Sequence, residues 1–485
     1  MIGITSYGAY IPWHRLDRQE FLKAWGGFAI PGERSVAYCD EDSVTMAVEA
    51  AIDCLKGQDQ QKVDGLYFAT TTSPYQEKQC SPLIAMALNL RRDIRTADIT
   101  CSMRAGATAL SLARDTIRAG TADSVLVTVS DCRIGGPGGM TEQSLGDGAA
   151  ALLLGKDNVI AEILESYCIS DELSATWRAA NDTFVRSWED RMTMDEGYSK
   201  IVPEVINGLL QKCGLTVKDI SKAVFDPPGD ARRHGKVSAA LGFAPEQLQD
   251  PFGFFMNIGM TGCAMAPMML VAALEDAKPG DKILFLNHGN GAEAFLLQVT
   301  DAIKKLKPRR GMKHHLMSKK MLNNYQSYVR WRELMPVEAA RRPDKQHIRL
   351  SAGWRDRKVL LGLWGVKCRK CGTPQYDNGA MSTPPIRICA ECQSRDNFDD
   401  YCFAGRKAKV FSYTHDLLAP VDDPPASVVL VEFEGGGRAF FDLTDREPDK
   451  IKVGTEVELT FRKLQFDRGL TNYFWKARPI RIKEA

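Results

Sequence analysis

The sequence predicts an α/β protein of several domains: a duplicated, layered α/β domain, then a zinc ribbon, then a small β-barrel. Strand-like and helix-like segments alternate through residues 1–300 and then recur in the same order. Two CxxC pairs come next, and five short alternating segments follow them. With 485 residues and 44% hydrophobic content, the chain can bury more than one core.

The first half of the α/β region centres on residues 97–133. This stretch predicts a short strand at 97–100, a helix at about 103–118 and an apolar strand at 124–130. Small or apolar side chains on both faces of the helix indicate that it is buried between layers. A buried helix that begins at a strand end points free N–H groups and its positive dipole end at the first turn, where a nucleophile would be activated. The other elements predicted in this half are strands at 2–11, 66–71 and 146–155 and helices at 42–55 and 81–90.

The second half repeats the first. Its predicted elements are helices at 195–212, 232–241 and 261–276 and strands at 223–226, 282–287 and 292–299. An offset of about 157 residues places three residues of the first half on equivalents in the second, namely Phe68 on Phe225, Gly106 on Gly262 and Asp123 on Asp281. This duplication predicts a layered α/β domain whose paired central helices share one core.

Residues 301–345 break the pattern and predict a basic linker followed by a helix. Eight basic residues crowd its first part: Lys304, Lys305, Lys307, Arg309, Arg310, Lys313, Lys319 and Lys320. Two interpretations remain open, a solvated linker or a basic rim that attracts a phosphate-bearing substrate.

The region 346–398 carries the most specific motif in the chain. Its two CxxC pairs are separated by seventeen residues, a spacing that presents four thiolates to zinc: Cys368, Cys371, Cys389 and Cys392. Because cysteine fills all four positions, we expect a structural zinc site, with catalytic zinc or redox pairs as the alternatives. The other nine of the thirteen cysteines are scattered through apolar segments, which favours a reducing compartment.

The final region, residues 399–485, predicts a small barrel of the oligonucleotide/oligosaccharide-binding (OB) type. Its strands are expected at 408–414, 427–434, 438–443, 456–462 and 473–477. Such barrels often bind single-stranded nucleic acid, but no basic stripe runs beside the aromatic residues, which we expect in the core. A net charge of +2 gives no general electrostatic case for nucleic acid. With no secretory leader and no apolar run of the ~20 residues that a membrane span needs, we expect a cytoplasmic protein.

Six segments together resemble the thiolase superfamily, in the branch that holds HMG-CoA synthase and β-ketoacyl-ACP synthase III. They are GITSYGAYIP, TTTSPYQEK, RAGATAL, SDCRIGGPGG, GDGAAALLLG and HGNGAEAFLL. The zinc ribbon and barrel resemble the small accessory proteins found with thiolases. The resemblance implies a layered αβαβα domain, a coenzyme A thioester as substrate and a homodimer through the synthase-like domain.

The positions that carry catalysis in this family differ here. The family's nucleophilic cysteine falls at Met103, three residues before Gly106, and its histidine falls at Asp226. The asparagine of synthase III falls at Met260, and the glutamate of HMG-CoA synthases falls near Thr71. A methionine thioether cannot form a thioester, and an ionised Asp226 would repel an oxyanion.

Three residues remain as catalytic candidates: Cys101, Asp226 and His288. Cys101 lies two residues before Met103, which along an extended chain displaces its sulfur by roughly 6.6 Å, far beyond the ~0.5 Å that a working site tolerates. We therefore expect Cys101 to be a buried structural cysteine, Cys132 not to be the nucleophile, and His234 to be exposed on the outer face of its helix.

These observations favour a subunit of an acyl-CoA thiolase or acyltransferase complex that makes or breaks carbon–carbon bonds. It lacks its own acylating cysteine and works with a separate thiolase subunit, and the zinc barrel organises the assembly. One alternative is an autonomous Claisen enzyme that uses Cys101. The other is a nucleic-acid or lipid-binding module built on the barrel, although we expect neither nucleic acid nor membrane as a partner.

Overall fold

The computed structural model describes residues 1–227, 231–338, 350–376 and 386–481. Strands and helices alternate through its first part, as the sequence predicts. In the described part of residues 1–338 the strands are β1 (Gly3–Tyr10), β2 (His14–Asp17), β3 (Glu33–Val36), β4 (Gly65–Ala69), β5 (Arg95–Ile99), β6 (Ser124–Cys132), β7 (Asp147–Gly155), β8 (Ala161–Ser170), β9 (Thr176–Trp177), β10 (Arg186–Ser187), β11 (Lys222–Phe225), β12 (Lys282–His288), β13 (Gly291–Val299) and β14 (Lys320–Met321). The helices are α1 (Gln19–Trp25), α2 (Ser43–Cys54), α3 (Ser81–Ala87), α4 (Ala105–Arg118), α5 (Met140–Ser144), α6 (Asp190–Met192), α7 (Ser199–Cys213), α8 (Ala231–Leu241), α9 (Pro251–Ile258), α10 (Met265–Asp276), α11 (Gly311–Met317) and α12 (Tyr325–Trp331).

Within the described residues, nine of these strands form one continuous sheet. Its order is β11-β12-β13-β8-β1-β7-β6-β4-β5. β4 lies parallel to β5 and β6 in one half, and β11 lies parallel to β12 in the other. The two halves are joined where β1 pairs with β8. This arrangement confirms the predicted α/β class.

The central helices α4 and α10 lie in a shared apolar core, as the duplication predicts. Buried residues from both helices and from both halves of the sheet form one cluster. At Gly106 the helices approach so closely that an added Cβ would lie 2.9 Å from Cγ of Pro267. Glycine at this position therefore permits the central layer.

Outer helices cover the two faces of this sandwich. α7 and α8 bury apolar residues against β11, β12 and β13 in the second half. In the first half α2 is buried along almost its whole length, and Asp42 caps its start by accepting a hydrogen bond from the Thr45 N–H at 2.9 Å. A helix buried on every side needs a further layer above it, and the barrel supplies that layer.

The chain from residue 350 onward forms the ribbon and the barrel. Its elements are α13 (Leu350–Arg355), α14 (Arg357–Leu360), β15 (Trp364–Cys368), β16 (Pro374–Gln375), β17 (Phe398–Cys402), β18 (Ala408–Asp416), β19 (Ala426–Phe433), β20 (Arg438–Asp442), β21 (Glu456–Asp467) and β22 (Leu470–Pro479). Among the described residues the barrel strands follow the order β20-β19-β18-β21-β22. A bridge between Leu443 and Ala477 brings β20 and β22 together and closes the barrel. Phe441, Tyr473 and Trp475 fill its core, whereas Phe440 and Tyr413 are exposed, so the expectation of core aromatics was wrong for these two.

Buried charges join the barrel to α2 and the chain around it. Arg462 of β21 is 0% exposed and pairs with Glu41 and, at 2.7 Å, with Asp445. Arg478 of β22 pairs with Glu49 of α2 at 2.7 Å. The barrel and the α/β domain therefore share an extensive interface of paired charges in addition to apolar contacts.

The predicted basic linker contributes to the packing of the α/β domain. Arg309 donates to Oγ of Ser6 and to the carbonyl oxygen of Tyr7, both at 2.7 Å. Arg310 pairs with Glu458 of the barrel. The helix predicted after this segment is α12, which packs its aromatic residues on α1 and β2. Part of the predicted linker lies in residues 339–345, outside the described chain.

Candidate functional site

The head of α4 lies against the turn that follows β12. Met103 is half-buried just before the helix begins. Across from it, a Cβ added to Gly289 would lie 2.7 Å from Cβ of Met103 and 2.8 Å from the backbone nitrogen of Arg104. The HGNG segment can therefore approach the positive end of α4 only with glycine at this position.

Cys101 lies in the turn before Met103 and is exposed, so the expectation of a buried cysteine was wrong. Its φ is 69°, in the left-handed region that non-glycine residues rarely adopt. Its sulfur lies 3.3 Å from the hydroxyl of Thr100. Cys132, the other cysteine considered in the sequence, is half-buried, and burial raises the pKa of its thiol to about 11. Such a thiol is protonated at neutral pH and is a poor nucleophile.

Two of the three predicted catalytic residues come together. Asp226 follows β11 and His288 ends β12, and these strands are parallel neighbours. The backbone N–H of His288 donates to Oδ1 of Asp226 at 3.2 Å. The ends of adjacent parallel strands thus place both side chains at one edge of the sheet, beside the Gly289 turn.

Burial shifts the pKa of both side chains in the direction that favours the uncharged form. It raises the pKa of Asp226 from 3.8 to about 7, against the opposing effect of the hydrogen bond from His288. It lowers the pKa of His288 to about 4, with Asp171 acting in the opposite direction. At neutral pH His288 is therefore uncharged, and Asp226 is close to half protonated.

A buried histidine that sequence reasoning placed on the surface lies behind Asp226. His234 of α8 is 3% exposed, so the expectation of an exposed side chain was wrong. The helix turns His234 toward Tyr198, whose hydroxyl lies 2.8 Å from Nδ1 of the ring. Burial lowers the pKa of His234 to about 4, which keeps it neutral.

The hydrogen bonds of Tyr198 fix the tautomer of His234. The Tyr198 hydroxyl donates to the backbone carbonyl oxygen of Asp226 at 3.1 Å. A phenol has one proton to donate, so Nδ1 of His234 must carry its own proton and Nε2 is an acceptor. Within the described residues Nε2 of His234 has no hydrogen-bond partner, although it is buried, whereas the side chain of Asn287 is hydrogen-bonded to Asp226. Unsatisfied buried polar atoms are expected to find a partner in a ligand or in water.

The remaining family positions serve the scaffold. Thr71 donates its backbone N–H and its hydroxyl to Asp131 at 2.7 and 2.9 Å. The same carboxylate accepts from Thr70, Thr72 and the backbone N–H of Cys263. A carboxylate with five donors is a structural acceptor and not a base. Met260 is half-buried, and its carbonyl oxygen accepts from the N–H of Gly146.

The four ribbon cysteines converge as the sequence predicts. Cys368 and Cys392 place their sulfurs 3.6 Å apart, and Cys371 and Cys389 place theirs 3.5 Å apart. All four sulfurs lie within 4.8 Å of one another. A tetrahedral zinc with Zn–S bonds of about 2.3 Å requires sulfur separations of about 3.8 Å, so the cluster fits the metal. In the described chain this is the one group of such side chains compact enough to hold an ion.

Among the described residues no helix combines the length and the apolar character that a membrane crossing requires.

Known proteins resemble the α/β region over their whole length. The hydroxymethylglutaryl-CoA synthase of Caldivirga maquilingensis is 31% identical over 349 residues, which cover 69% of this chain and 99% of that protein. The synthase of Methanosarcina mazei is 31% identical over 342 residues, which cover 68% of this chain and 97% of that protein.

Solved structures share the fold. An HMG-CoA synthase crystallised with CoA has a TM-score of 0.60 at 20% identity, covering 67% of this chain and 89% of its own. The β-ketoacyl-acyl-carrier-protein synthase III of Thermus thermophilus has a TM-score of 0.56 at 20% identity, covering 62% of this chain and 99% of its own.

The barrel matches a family of its own. Residues 403–462 match the family model described as the C-terminal OB-fold domain of ChsH2. The chain therefore belongs to the hydroxymethylglutaryl-CoA synthase family of the thiolase superfamily, and it carries a C-terminal OB-fold domain in addition.

Proposed function

We propose that this chain is a non-acylating, HMG-CoA synthase-like subunit of an acyl-CoA thiolase or acyltransferase complex. A separate thiolase subunit supplies the reactive cysteine for carbon–carbon bond formation or cleavage. The observation that carries this proposal is Met103, which occupies the head of α4 where a family member needs its thiolate.

The surrounding groups favour binding of a thioester without covalent capture. A half-protonated Asp226 repels a carbonyl oxygen less than a full carboxylate would. The side chain of Asn287 hydrogen-bonds to Asp226 and opposes part of the pKa rise caused by burial, and the start of α4 offers its positive dipole end. These features suit a polarised thioester carbonyl, and we infer a coenzyme A thioester as substrate because a solved relative binds CoA.

We assign the ribbon cluster to structural zinc. Four thiolates leave no open coordination position for water, so the metal stabilises the ribbon and does not activate a nucleophile. The ribbon and barrel then hold their surfaces in place for the partner subunit.

The decisive test is acyl transfer to the purified chain. Mass-tagged or radiolabelled acetyl-CoA is incubated with the chain alone, and the intact mass is measured. We expect no adduct on this chain, and an adduct on the co-purifying thiolase when both are present. A stable acyl adduct on the chain alone would refute the proposal.

One alternative rests on the position of Cys101. Its left-handed φ of 69° presents an exposed thiol in the turn before α4. An autonomous synthase that uses this thiol would form an acyl adduct that the Cys101→Ala variant loses and the Cys132→Ala variant keeps.

We also propose a homodimer through the synthase-like domain. β5 is an edge strand of the main sheet, and an edge strand offers unpaired backbone groups to a second copy. Light scattering on the purified chain should give twice the mass of 53.8 kDa. A monomer at micromolar concentration would exclude this interface.

A further inference from the structure

A large cleft opens where the α/β domain, the ribbon and the barrel meet. Its volume is about 860 Å³, within the range of ligand pockets in proteins. One wall is formed by the end of α2 and the end of α3. Another part of the lining comes from the turn after β17 and from β22 of the barrel.

This cleft is separate from the head of α4. The start of α2 lies near the candidate site, because Oγ of Ser43 donates to the carbonyl oxygen of Thr72, next to Thr71. The cleft lies at the other end of the helix, around Leu55 and Lys56. Twelve helical residues span about 18 Å, so a ligand in the cleft does not occupy the thioester position.

The charges on the floor of the cleft largely compensate one another. Arg478 pairs with Glu49 and with Glu458, both at 2.7 Å. Arg310 also pairs with Glu458. Asp53 accepts from three backbone N–H groups, those of Ala9, Arg310 and Gly311. Ligand recognition therefore falls to the walls and the rim.

The rim on the ribbon side is basic. Arg406 and Lys407 are exposed there, in the turn that joins β17 to β18. Arg406 is fixed in place, since its Nε donates to the carbonyl oxygen of Cys402 at 2.8 Å and its guanidinium lies 4.2 Å from the ring centre of Tyr401. An ordered guanidinium beside a lysine is a good receptor for phosphate oxygens.

The walls combine a flat aromatic ring with apolar and amide side chains. Trp364 is half-buried in the wall, and its Nε1 already donates to Asn89 at 2.5 Å. Ile52 and Leu88 supply apolar surface beside it, and the turn after α2 adds the amide side chains Gln58, Gln60 and Gln61. An aromatic and apolar wall suits a purine ring, and amides suit its hydrogen-bonding edge.

We propose that this cleft binds a nucleoside polyphosphate, with the base against Trp364 and the phosphates at Arg406 and Lys407. Binding of a free nucleotide is independent of the function proposed above, whereas binding of coenzyme A rests on it, and either occupant would contact all three domains. Two sources share this chemistry, a free nucleotide such as ADP and the adenosine phosphate end of coenzyme A.

The test is calorimetric titration of the full chain with ADP and, separately, with CoA. The double variant Arg406→Glu/Lys407→Glu should weaken ADP binding at least about tenfold, because two charged contacts are reversed. The matched control Lys218→Glu/Lys278→Glu makes the same change in net charge at exposed positions in the second half of the α/β domain. Its affinity should stay within about twofold of the unmodified chain.

A second variant tests the site in the opposite direction. Glu456→Gln removes an exposed carboxylate from the lining of the cleft and should strengthen ADP binding. This variant keeps the experiment decisive if the double variant fails to fold, which its thermal midpoint would reveal.

The outcomes separate the two sources. Weaker binding of both ADP and CoA in the double variant identifies the CoA tail as an occupant. Weaker binding of ADP alone identifies a free nucleotide and leaves CoA to the α4 site. The proposal is overturned if ADP gives no heat at millimolar concentration, or if the cleft variants and the control bind ADP equally well.

Discussion

The Asp226→Asn variant should gain stability relative to the unmodified chain as the pH rises. Burial raises the pKa of this carboxyl from 3.8 to about 7. Between these values the folded protein keeps a proton that the unfolded chain has released. Stability therefore falls as the pH rises from about 4 to about 7. Asparagine is neutral throughout and does not show this loss.

The magnitude follows from the width of that interval. As the pH rises from 5 to 8, the folded chain keeps this proton for about two pH units, until Asp226 ionises near pH 7. Each unit corresponds to about 1.36 kcal/mol, so the advantage of the asparagine variant should grow by about 2.7 kcal/mol. Glu41 and Glu275, whose pKa burial also raises to about 7, are present in both proteins and cancel in the comparison.

The assay is thermal or urea unfolding of both proteins at half-unit steps from pH 5 to pH 8. The separation of the two thermal midpoints should widen by about 3 °C across this range, because the unfolding entropy grows with chain length. Glu275→Gln serves as a positive control, because burial raises the pKa of Glu275 from 4.5 to about 7 at a distance from the site. The reasoning is refuted if the midpoint of Asp226→Asn stays at a constant separation from that of the unmodified chain while the midpoint of the Glu275→Gln control diverges from it. Asp226 would then be ionised throughout this range and could not accommodate a thioester carbonyl as argued.

Three further changes test other parts of the molecule. Cys371→Ser should abolish the binding of one zinc per chain, measured by metal analysis of the purified protein; a full complement of zinc would contradict the ribbon assignment. Arg462→Ala leaves Glu41 and Asp445 buried without their cation and should lower the unfolding free energy by about 3–5 kcal/mol in urea titrations; an unchanged midpoint would show that the barrel interface does not depend on this charge. Gly289→Ala forces a Cβ to 2.7 Å from the head of α4 and should destabilise the protein by more than about 1 kcal/mol, with weaker acyl-CoA binding in calorimetry; neutrality in both would contradict the close packing there.

The alternation of the first half was predictable because its buried strands and helices carry strong local patterns. The strands predicted at 124–130 and 146–155 are β6 and β7, and both are apolar along most of their length. No such pattern marks β8, which mixes buried and exposed positions and carries Glu162 and Glu165. β8 joins the two halves of the sheet. The hydrophobic periodicity of the sequence therefore predicted the layers, but it could not predict how the two halves of the sheet are joined.

The candidate site was predictable where it depends on strand ends, and not where it depends on tertiary packing. Asp226 follows β11 and His288 ends β12, and these two strands pair side by side in the second half of the sheet. His234 was misplaced because the contact that buries it joins α8 to Tyr198, thirty-six residues earlier in the chain. Arg462 was not singled out in the sequence, and it is buried because it pairs with Glu41, beside α2, and with Asp445 of the barrel.

The fixed interface between the barrel and the α/β domain determines what the covalent fusion of the two contributes. A domain joined by a flexible linker only encounters its neighbour more often. Here Arg462, Arg478 and Arg310 anchor one module to the other through carboxylates taken out of water. Swinging the barrel away would break these ion pairs and expose the shared apolar interface to water, so relative motion on the scale of a turnover is suppressed. A partner subunit that binds the ribbon is consequently held at one fixed distance and angle from the head of α4.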